Sequence, residues 1–275
     1  MKKLIKLTTI SLATIIIAGI AIICCRKSPL IIDTTFNDDD CLILSANGRG
    51  IAFDTGSDIT ILYADTIPGS AFFFCNVTAT DIHGDDIRLK KYIRLNPSSQ
   101  LGIHIQPVIL LPQSSAPKGV NEILGTDIIN LSNWHIDFSQ HLIDNQSSQL
   151  DNMADMILHY RLVGNRWKTN MQLDSLFLKD ILIDTGYTRS DFMLSEKQID
   201  LLEAKFLQKD TCYNFRNDLS EITVYGLNEC CLNGEKMDNI SIAQSQENSI
   251  IGLPFFKRFS SIYMDTNKRM IFCYN

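Results

Sequence analysis

The chain has 275 residues, a formal net charge of -6 and 45% hydrophobic residues, enough apolar material for one large domain or two small lobes. The mild acidity and the lack of a lysine or arginine cluster argue against a nucleic-acid partner, because phosphate binding needs a positive surface. Short basic runs such as Arg88-Leu89-Lys90-Lys91 read as solvated strand or loop faces.

The first predicted element is apolar. From residue 4 to residue 25 the chain is almost uninterrupted Ile, Leu, Ala, Thr and Cys, broken by Lys6 near its start and closed by Arg26 and Lys27. About 20 apolar residues in a helix span the hydrocarbon core of a bilayer, and Lys2, Lys3 and Lys6 favour a cytoplasmic start. A cleaved signal peptide would want small residues where Ala21-Ile22-Ile23 stands, and the isoleucines make a poor lipobox before Cys24. An uncleaved signal anchor over residues 1–27 fits best, with the protein held at a membrane and its body outside the cytoplasm. Residues 28–40, ending in Asn37-Asp38-Asp39-Asp40, read as a polar linker.

Beyond the linker, short strand-like runs split by turn signals predict a mostly β body. Expected strands include residues 41–44, 50–53, 105–111 and 270–272, and residues 77–87 read as a hairpin with Gly84 in its turn. Two helices are expected. A short one covers residues 126–131. A longer one covers residues 195–207, with Ser195 as cap, Gln198 at the capping-box position and Ile199, Leu202 and Phe206 at helical spacing.

One paragraph of sequence occurs twice. Ile51-Ala52-Phe53-Asp54-Thr55-Gly56-Ser57 is matched by Ile181-Leu182-Ile183-Asp184-Thr185-Gly186-Tyr187, and the small hydroxyls Thr60 and Ser190 follow at the same offset. Downstream, Ile123-Leu124-Gly125 is matched by Ile250-Ile251-Gly252 at a nearly equal interval. Each unit closes on a strand-turn-strand block, residues 136–143 and 264–271, which align without a gap. A single Asp-Thr-Gly is a weak signal, since apolar strands often meet such a turn. Two copies with the same downstream triplet and closing block, in the same order, form a strong one.

A hydrophobic stretch, then Asp-Thr-Gly-Ser or -Ala, then hydrophobic-hydrophobic-Gly some tens of residues on is the motif of the retropepsin-like aspartic peptidases. The body from about residue 41 to residue 275 resembles them on these residues. The resemblance implies an acid-protease-like closed β architecture of two retropepsin-sized pseudo-twofold halves, residues 41–147 and 148–275, fused as a monomeric pseudo-dimer. Asp54 and Asp184 match the catalytic aspartates, and Thr55 and Thr185 match the threonines that lock the two active loops together. Gly56 and Gly186 match the glycines that allow close backbone approach. Gly125 and Gly252 match the glycine packed beneath each loop. Ile82, His83 and Gly84 match the tip of a flap over the substrate, whereas the second half shows only a vague counterpart, with a turn near Asn217-Asp218.

The implied activity is hydrolysis of a peptide or protein substrate, with no metal and no cofactor. Two close carboxylates share one proton: the ionised form activates a water, and the neutral form donates to the developing oxyanion. Ser57 conforms to the motif and is expected to donate its hydroxyl to Asp54. Tyr187 departs from it, which predicts an unequal pair and a pH profile shifted upward. A bulky Tyr187 beside the dyad, which could narrow the cleft, and an indistinct second flap support the alternative, a catalytically weak or inactive peptide-binding module on the same fold. The pairing of terminal strands in relatives further implies that Cys41 and Cys273 lie on neighbouring strands, close enough for a bridge.

The other chemistry-bearing residues carry less. Cys41, Cys75, Cys212, Cys230, Cys231 and Cys273 show no zinc-ligand spacing and are either disulfide partners or buried free thiols. The five histidines are scattered, no serine lies in a Gly-x-Ser-x-Gly context, and Trp134 and Trp167 read as packing residues.

Overall fold

The computed structural model describes residues 33–37, 41–46, 49–66, 71–80, 86–95, 105–145, 153–213, 219–245 and 249–275. The predicted anchor lies outside them. Among the described residues no helix is long and apolar enough to cross a membrane.

The body is mostly β, as its turn-punctuated apolar runs predict. The earlier strands are β1 (Asp33–Asn37), β2 (Ile43–Ala46), β3 (Arg49–Phe53), β4 (Ile61–Tyr63), β5 (Ala71–Thr80), β6 (Asp86–Leu95), β7 (Ile105–Leu111), β8 (Glu122–Leu124), β9 (Trp134–Asp137) and β10 (Leu142–Asp144). The later ones are β11 (Met156–Val163), β12 (Arg166–Leu173), β13 (Leu176–Asp184), β14 (Phe192–Ser195), β15 (Lys205–Tyr213), β16 (Leu219–Leu232), β17 (Glu235–Ser245), β18 (Ile250–Gly252), β19 (Ser261–Asp265) and β20 (Met270–Tyr274). Among the described residues three α-helices interrupt them: α1 (Thr126–Ile129), α2 (Glu196–Leu201) and α3 (Leu253–Phe256).

Every pairing among the first ten strands recurs ten strands later. The antiparallel set β1–β2, β2–β3, β5–β6 and β6–β7 returns as β11–β12, β12–β13, β15–β16 and β16–β17. The parallel pairs β3–β8 and β4–β7 return as β13–β18 and β14–β17. The antiparallel pair β4–β8 returns as β14–β18. One irregularity recurs as well, since β5 shifts register between Phe73 and Cys75 and β15 shifts between Phe206 and Gln208, whereas the shift of β12 between Thr169 and Met171 has no counterpart in the β2–β3 pair.

The halves join through β9 and β19, which run antiparallel with Trp134 opposite Met264 and Ile136 opposite Ile262. On the outer sides of this pair lie β10 and β20, and beyond them β1 and β11. The main apolar cluster runs through both halves and includes Phe53, Trp134, Trp167, Phe255 and Phe256. Burying such a side chain stabilises the fold by roughly 1.5–3 kcal/mol. Each tryptophan also satisfies its ring N–H, Trp134 on the Ile129 carbonyl at 2.8 Å and Trp167 on the Asn130 side chain at 2.7 Å. They are packing residues, as expected.

Four expectations are corrected. Residues 33–37, read as linker, form β1, because this polar segment finds a ready edge at β10. The helix expected over residues 195–207 stops at Leu201. Its capping residue is right, with Gln198 Oε1 accepting the Ser195 N–H at 2.9 Å, but Glu203 turns left-handed at φ 52°. The chain then leaves as β15, and Phe206, counted on the helical stripe, is 61% exposed on a strand. Pairing along β16 outweighs the local helical spacing, as tertiary contacts commonly do. The second hairpin, only vaguely readable, is complete through Tyr213 opposite Leu219, as the first is through Thr80 opposite Asp86. Finally, Cys41 and Cys273 are not on neighbouring strands. Cys41 precedes β2, whose partners are β1 and β3, whereas Cys273 lies between Met156 and Ile262. None of the six cysteines of the body forms a disulfide.

Candidate active site

Each half delivers one aspartate at the end of a buried strand. Ile51, Ala52 and Phe53 of β3 are buried, and Asp54 follows them; Ile181 and Ile183 of β13 are buried, and Asp184 ends the strand. The apolar residues hold the strand in the core, so the chain must turn where the acidic residue stands. The turn is made in the same way twice. Asp54 Oδ1 accepts the N–H groups of Gly56 at 2.8 Å and Ser57 at 3.2 Å, and Asp184 Oδ1 accepts those of Gly186 at 2.9 Å and Tyr187 at 3.0 Å.

The two turns meet. Thr55 Oγ1 donates to the Ile183 carbonyl at 2.9 Å and accepts the Thr185 N–H at 3.0 Å. Thr185 Oγ1 donates to the Phe53 carbonyl at 3.0 Å and accepts the Thr55 N–H at 3.1 Å. Both threonines are fully buried, so these crossed bonds satisfy backbone groups that water cannot reach. The glycines then lie against the opposite aspartate. A Cβ on Gly186 would stand 2.5–2.7 Å from the carboxyl atoms of Asp54, and one on Gly56 would fall on the carboxyl of Asp184. No other residue type leaves room for the acids to face each other.

Each carboxyl lies against the glycine of the other loop, so the two groups act on each other's titration. Burial raises the pKa of Asp54 against the opposing pull of the Gly56 N–H. Asp184 is raised well above the ordinary carboxylate range, by burial first and then by the charge of Asp54. A proton shared by such a pair belongs to both members.

Beneath the loops, Gly125 and Gly252 begin α1 and α3 with nearly the same backbone angles, φ −90°, ψ 175° and φ −89°, ψ 171°. The residue after each glycine donates its N–H into the active loop, Thr126 to the Ser57 carbonyl and Leu253 to the Tyr187 carbonyl, both at 2.8 Å. A Cβ on Gly125 would lie 2.6 Å from the Ile59 carbonyl carbon, and one on Gly252 would lie 2.5 Å from the Ser190 carbonyl oxygen.

The surroundings then diverge. Thr60 donates its N–H and its hydroxyl to Asp127 Oδ1 at 3.0 and 2.8 Å, and burial raises the Asp127 pKa to about 6. Asp127 was not singled out in the sequence; a carboxylate two residues beyond a buried glycine was the available signal. In the second half Pro254 stands at the matching place, and Ser190 meets the Tyr187 hydroxyl at 3.0 Å instead.

Two expectations about the loops are overturned. The Ser57 hydroxyl donates to the Ile59 carbonyl at 2.7 Å, because that acceptor lies within its own turn, so within each loop the donors to the aspartate are backbone N–H groups. The pH asymmetry expected from Ser57 loses its basis. The Tyr187 ring does not project between the acids but packs into an apolar cluster with β14 to β18 residues, where it is 6% exposed. The flap residues Ile82, His83 and Gly84 lie outside the described residues; the strands that lead to them, β5 and β6, are paired. No protein-family model matches the chain, and no curated protein matches it.

Proposed function

We propose that this chain is a single-chain aspartic endopeptidase of the retropepsin-like kind, with Asp54 and Asp184 as its dyad and its two strand sets related by a pseudo-twofold axis through the β9–β19 pair. The observation that carries the reading is two buried carboxyls, each against the other loop's glycine, each steadied by two N–H donors and brought together by Thr55 and Thr185. A structural acid pair has little reason to keep two repelling carboxyls buried, and pairs perturbed in this way mark sites of proton transfer.

In this reading the singly protonated dyad binds a water between its members. The ionised carboxyl takes a proton from that water as it attacks the scissile carbonyl, and the neutral carboxyl donates to the developing oxyanion. The leaving nitrogen then takes a proton from the dyad, the C–N bond breaks, and the hydroxyl that becomes the product carbonyl returns its proton to the dyad. The hairpins β5–β6 and β15–β16 supply the walls over the cleft. Membrane anchoring through residues 1–27 would hold the peptidase at a surface, with its body on the extracytoplasmic side.

The catalytically weak or binding-only alternative draws on the Tyr187 ring beside the dyad and an indistinct second flap; the ring is buried among residues of β14 to β18, and β15 and β16 are paired up to Tyr213 and Leu219. The test is incubation of the purified body, residues 28–275, with a diverse peptide library at pH 3–7, beside Asp54→Asn and Asp184→Asn controls. The raised pKa of both acids predicts activity reaching above the ordinary carboxylate range, with an alkaline limb where the shared proton is lost. Cleavage that survives in both controls, or none in the parent, defeats the reading.

A further inference from the structure

The two active loops agree in backbone and differ in one side chain. The position after Asp-Thr-Gly is Ser57 in the first loop and Tyr187 in the second, and both donate their N–H to the preceding aspartate. The size difference is a phenol ring, and its location decides what it does. The ring passes over Gly252, with Cδ1 2.8 Å from where a Cβ would stand. It is buried among Met193 of β14, Cys212 of β15, Ile222 and Val224 of β16, Ala243 of β17 and Ile250 of β18. It thus occupies the space between the active loop and the second hairpin.

The ring is also bolted at its far end. Ser190 Oγ donates its one proton to the Phe192 carbonyl at 2.6 Å and accepts the Ala243 N–H at 3.1 Å. The Tyr187 hydroxyl is therefore the donor in its 3.0 Å bond to Ser190. Burial raises the phenol pKa, so it keeps that proton throughout the working range. A ring held at both ends is a fixed wall and does not swing aside for a ligand.

Among the described residues of the first half, no side chain from the active loop is buried against the hairpin in this way. Its hairpin contributes Leu89, with Val77 and Ile87 partly buried, to a cluster with Ile61 and Ile123. The one aromatic residue of that cluster, Tyr63, enters from β4 and not from the loop. Ser57 turns its hydroxyl back onto the Ile59 carbonyl, and Ser57, Asp58 and Ile59 are only half-buried.

We propose that Tyr187 fills the substrate pocket of its own half and restricts that side of the scissile bond to small residues, while the Ser57 side takes a bulky apolar one. The inference rests on the peptidase reading above. It makes the preferred substrate a peptide with a Leu- or Phe-sized residue on one flank of the cleaved bond and Gly, Ala or Ser on the other. A pocket that loses this much volume rejects a large side chain by steric overlap, a stronger discrimination than a methylene gives.

Cleavage-site profiling with the peptide library tests it. The parent should show the one-sided preference, and Tyr187→Ala should accept bulky residues on both flanks, with kcat/KM for such peptides rising at least about 10-fold. Ser57→Tyr should remove the bulky preference on the other flank, and Tyr187→Phe should leave the profile as in the parent. A parent that accepts large residues equally on both flanks overturns the proposal even if no variant folds. So does a folded Tyr187→Ala with an unchanged profile. A parent that cleaves nothing defeats the peptidase reading separately. In that case, calorimetry with peptides carrying a hydroxyethylene group in place of the scissile amide, and Ala or Phe on either flank, decides the pocket. One-sided affinity supports it; equal affinity, or none for any peptide, overturns it.

Discussion

In the first half the hydroxyl behind the active loop, Thr60, is held by a carboxylate, Asp127, whereas in the second the matching Ser190 is held by a phenol, Tyr187. One arrangement is polar and titrates near neutrality. The other is apolar and fixed. Yet the turns that these groups support are the same to within a few tenths of an ångström in their N–H to carboxylate bonds, and the glycines beneath them have the same backbone angles. The contrast separates two kinds of constraint. Groups that meet across the halves must match, because each threonine completes the hydrogen bonds of the other loop. Groups one layer out answer only to their own half and are free to differ.

The largest effect should come from the shared centre. Asp54→Asn and Asp184→Asn should each lower kcat by about 10²–10⁴-fold, the span of lost acid–base assistance, and the double variant should be little worse, because the pair acts as a unit. Circular dichroism should show the fold intact in all three. Additive losses would mean that the acids work independently.

Next comes the joint between the loops. Thr55→Val leaves the Thr185 N–H and the Ile183 carbonyl buried without their partner, and Thr185→Val does the same to the Thr55 N–H and the Phe53 carbonyl. Each should lower stability by about 2–5 kcal/mol in urea denaturation, at roughly 1–3 kcal/mol per orphaned group. A double-mutant cycle should show strong coupling, and independent effects would argue against a shared joint.

Gly125→Ala and Gly252→Ala probe the layer that both halves keep. The added methyl would meet backbone closer than 3 Å in each case, which a side-chain rotation cannot relieve. A loss of about 1–3 kcal/mol is expected from either, with comparable size in the two halves. A neutral result at one glycine would show that its loop can yield.

The smallest effect should appear in the first half alone. Burial holds the Asp127 carboxyl at about 6 against an ordinary 3.8, so the folded state binds its proton more tightly than the unfolded chain. The parent therefore loses stability as pH rises from about 4 to about 6 and levels off above that. Asp127→Asn keeps an acceptor for Thr60 and cannot titrate. Across that window its melting temperature should gain on the parent, by an amount worth about 1–2 kcal/mol given partial exposure. The dyad titrates in both proteins and cancels from the difference. Parallel curves would refute the assignment.

The sequence by itself identified the paired Asp-Thr-Gly turns, the glycines beneath them and the β character of the body, because strand period, turn residues and an internal repeat are local signals. It also placed the start of α2, where Ser195 and Gln198 stand at capping-box spacing. It misjudged the length of that helix and barely registered the second hairpin, since Phe206 continues the helical spacing of Ile199 and Leu202 while residues 205–213 become a strand against β16. It set Cys41 beside Cys273, and only the registers of β2 and β20 separate them. The hydroxyl of Ser57 and the ring of Tyr187 lay beyond its reach altogether. Where a side chain turns depends on which acceptor or cavity the fold brings near. For Ser57 that acceptor is the nearby Ile59 carbonyl, whereas the neighbours of the Tyr187 ring come from strands as far along the chain as β17 and β18, so its place is decided by tertiary structure.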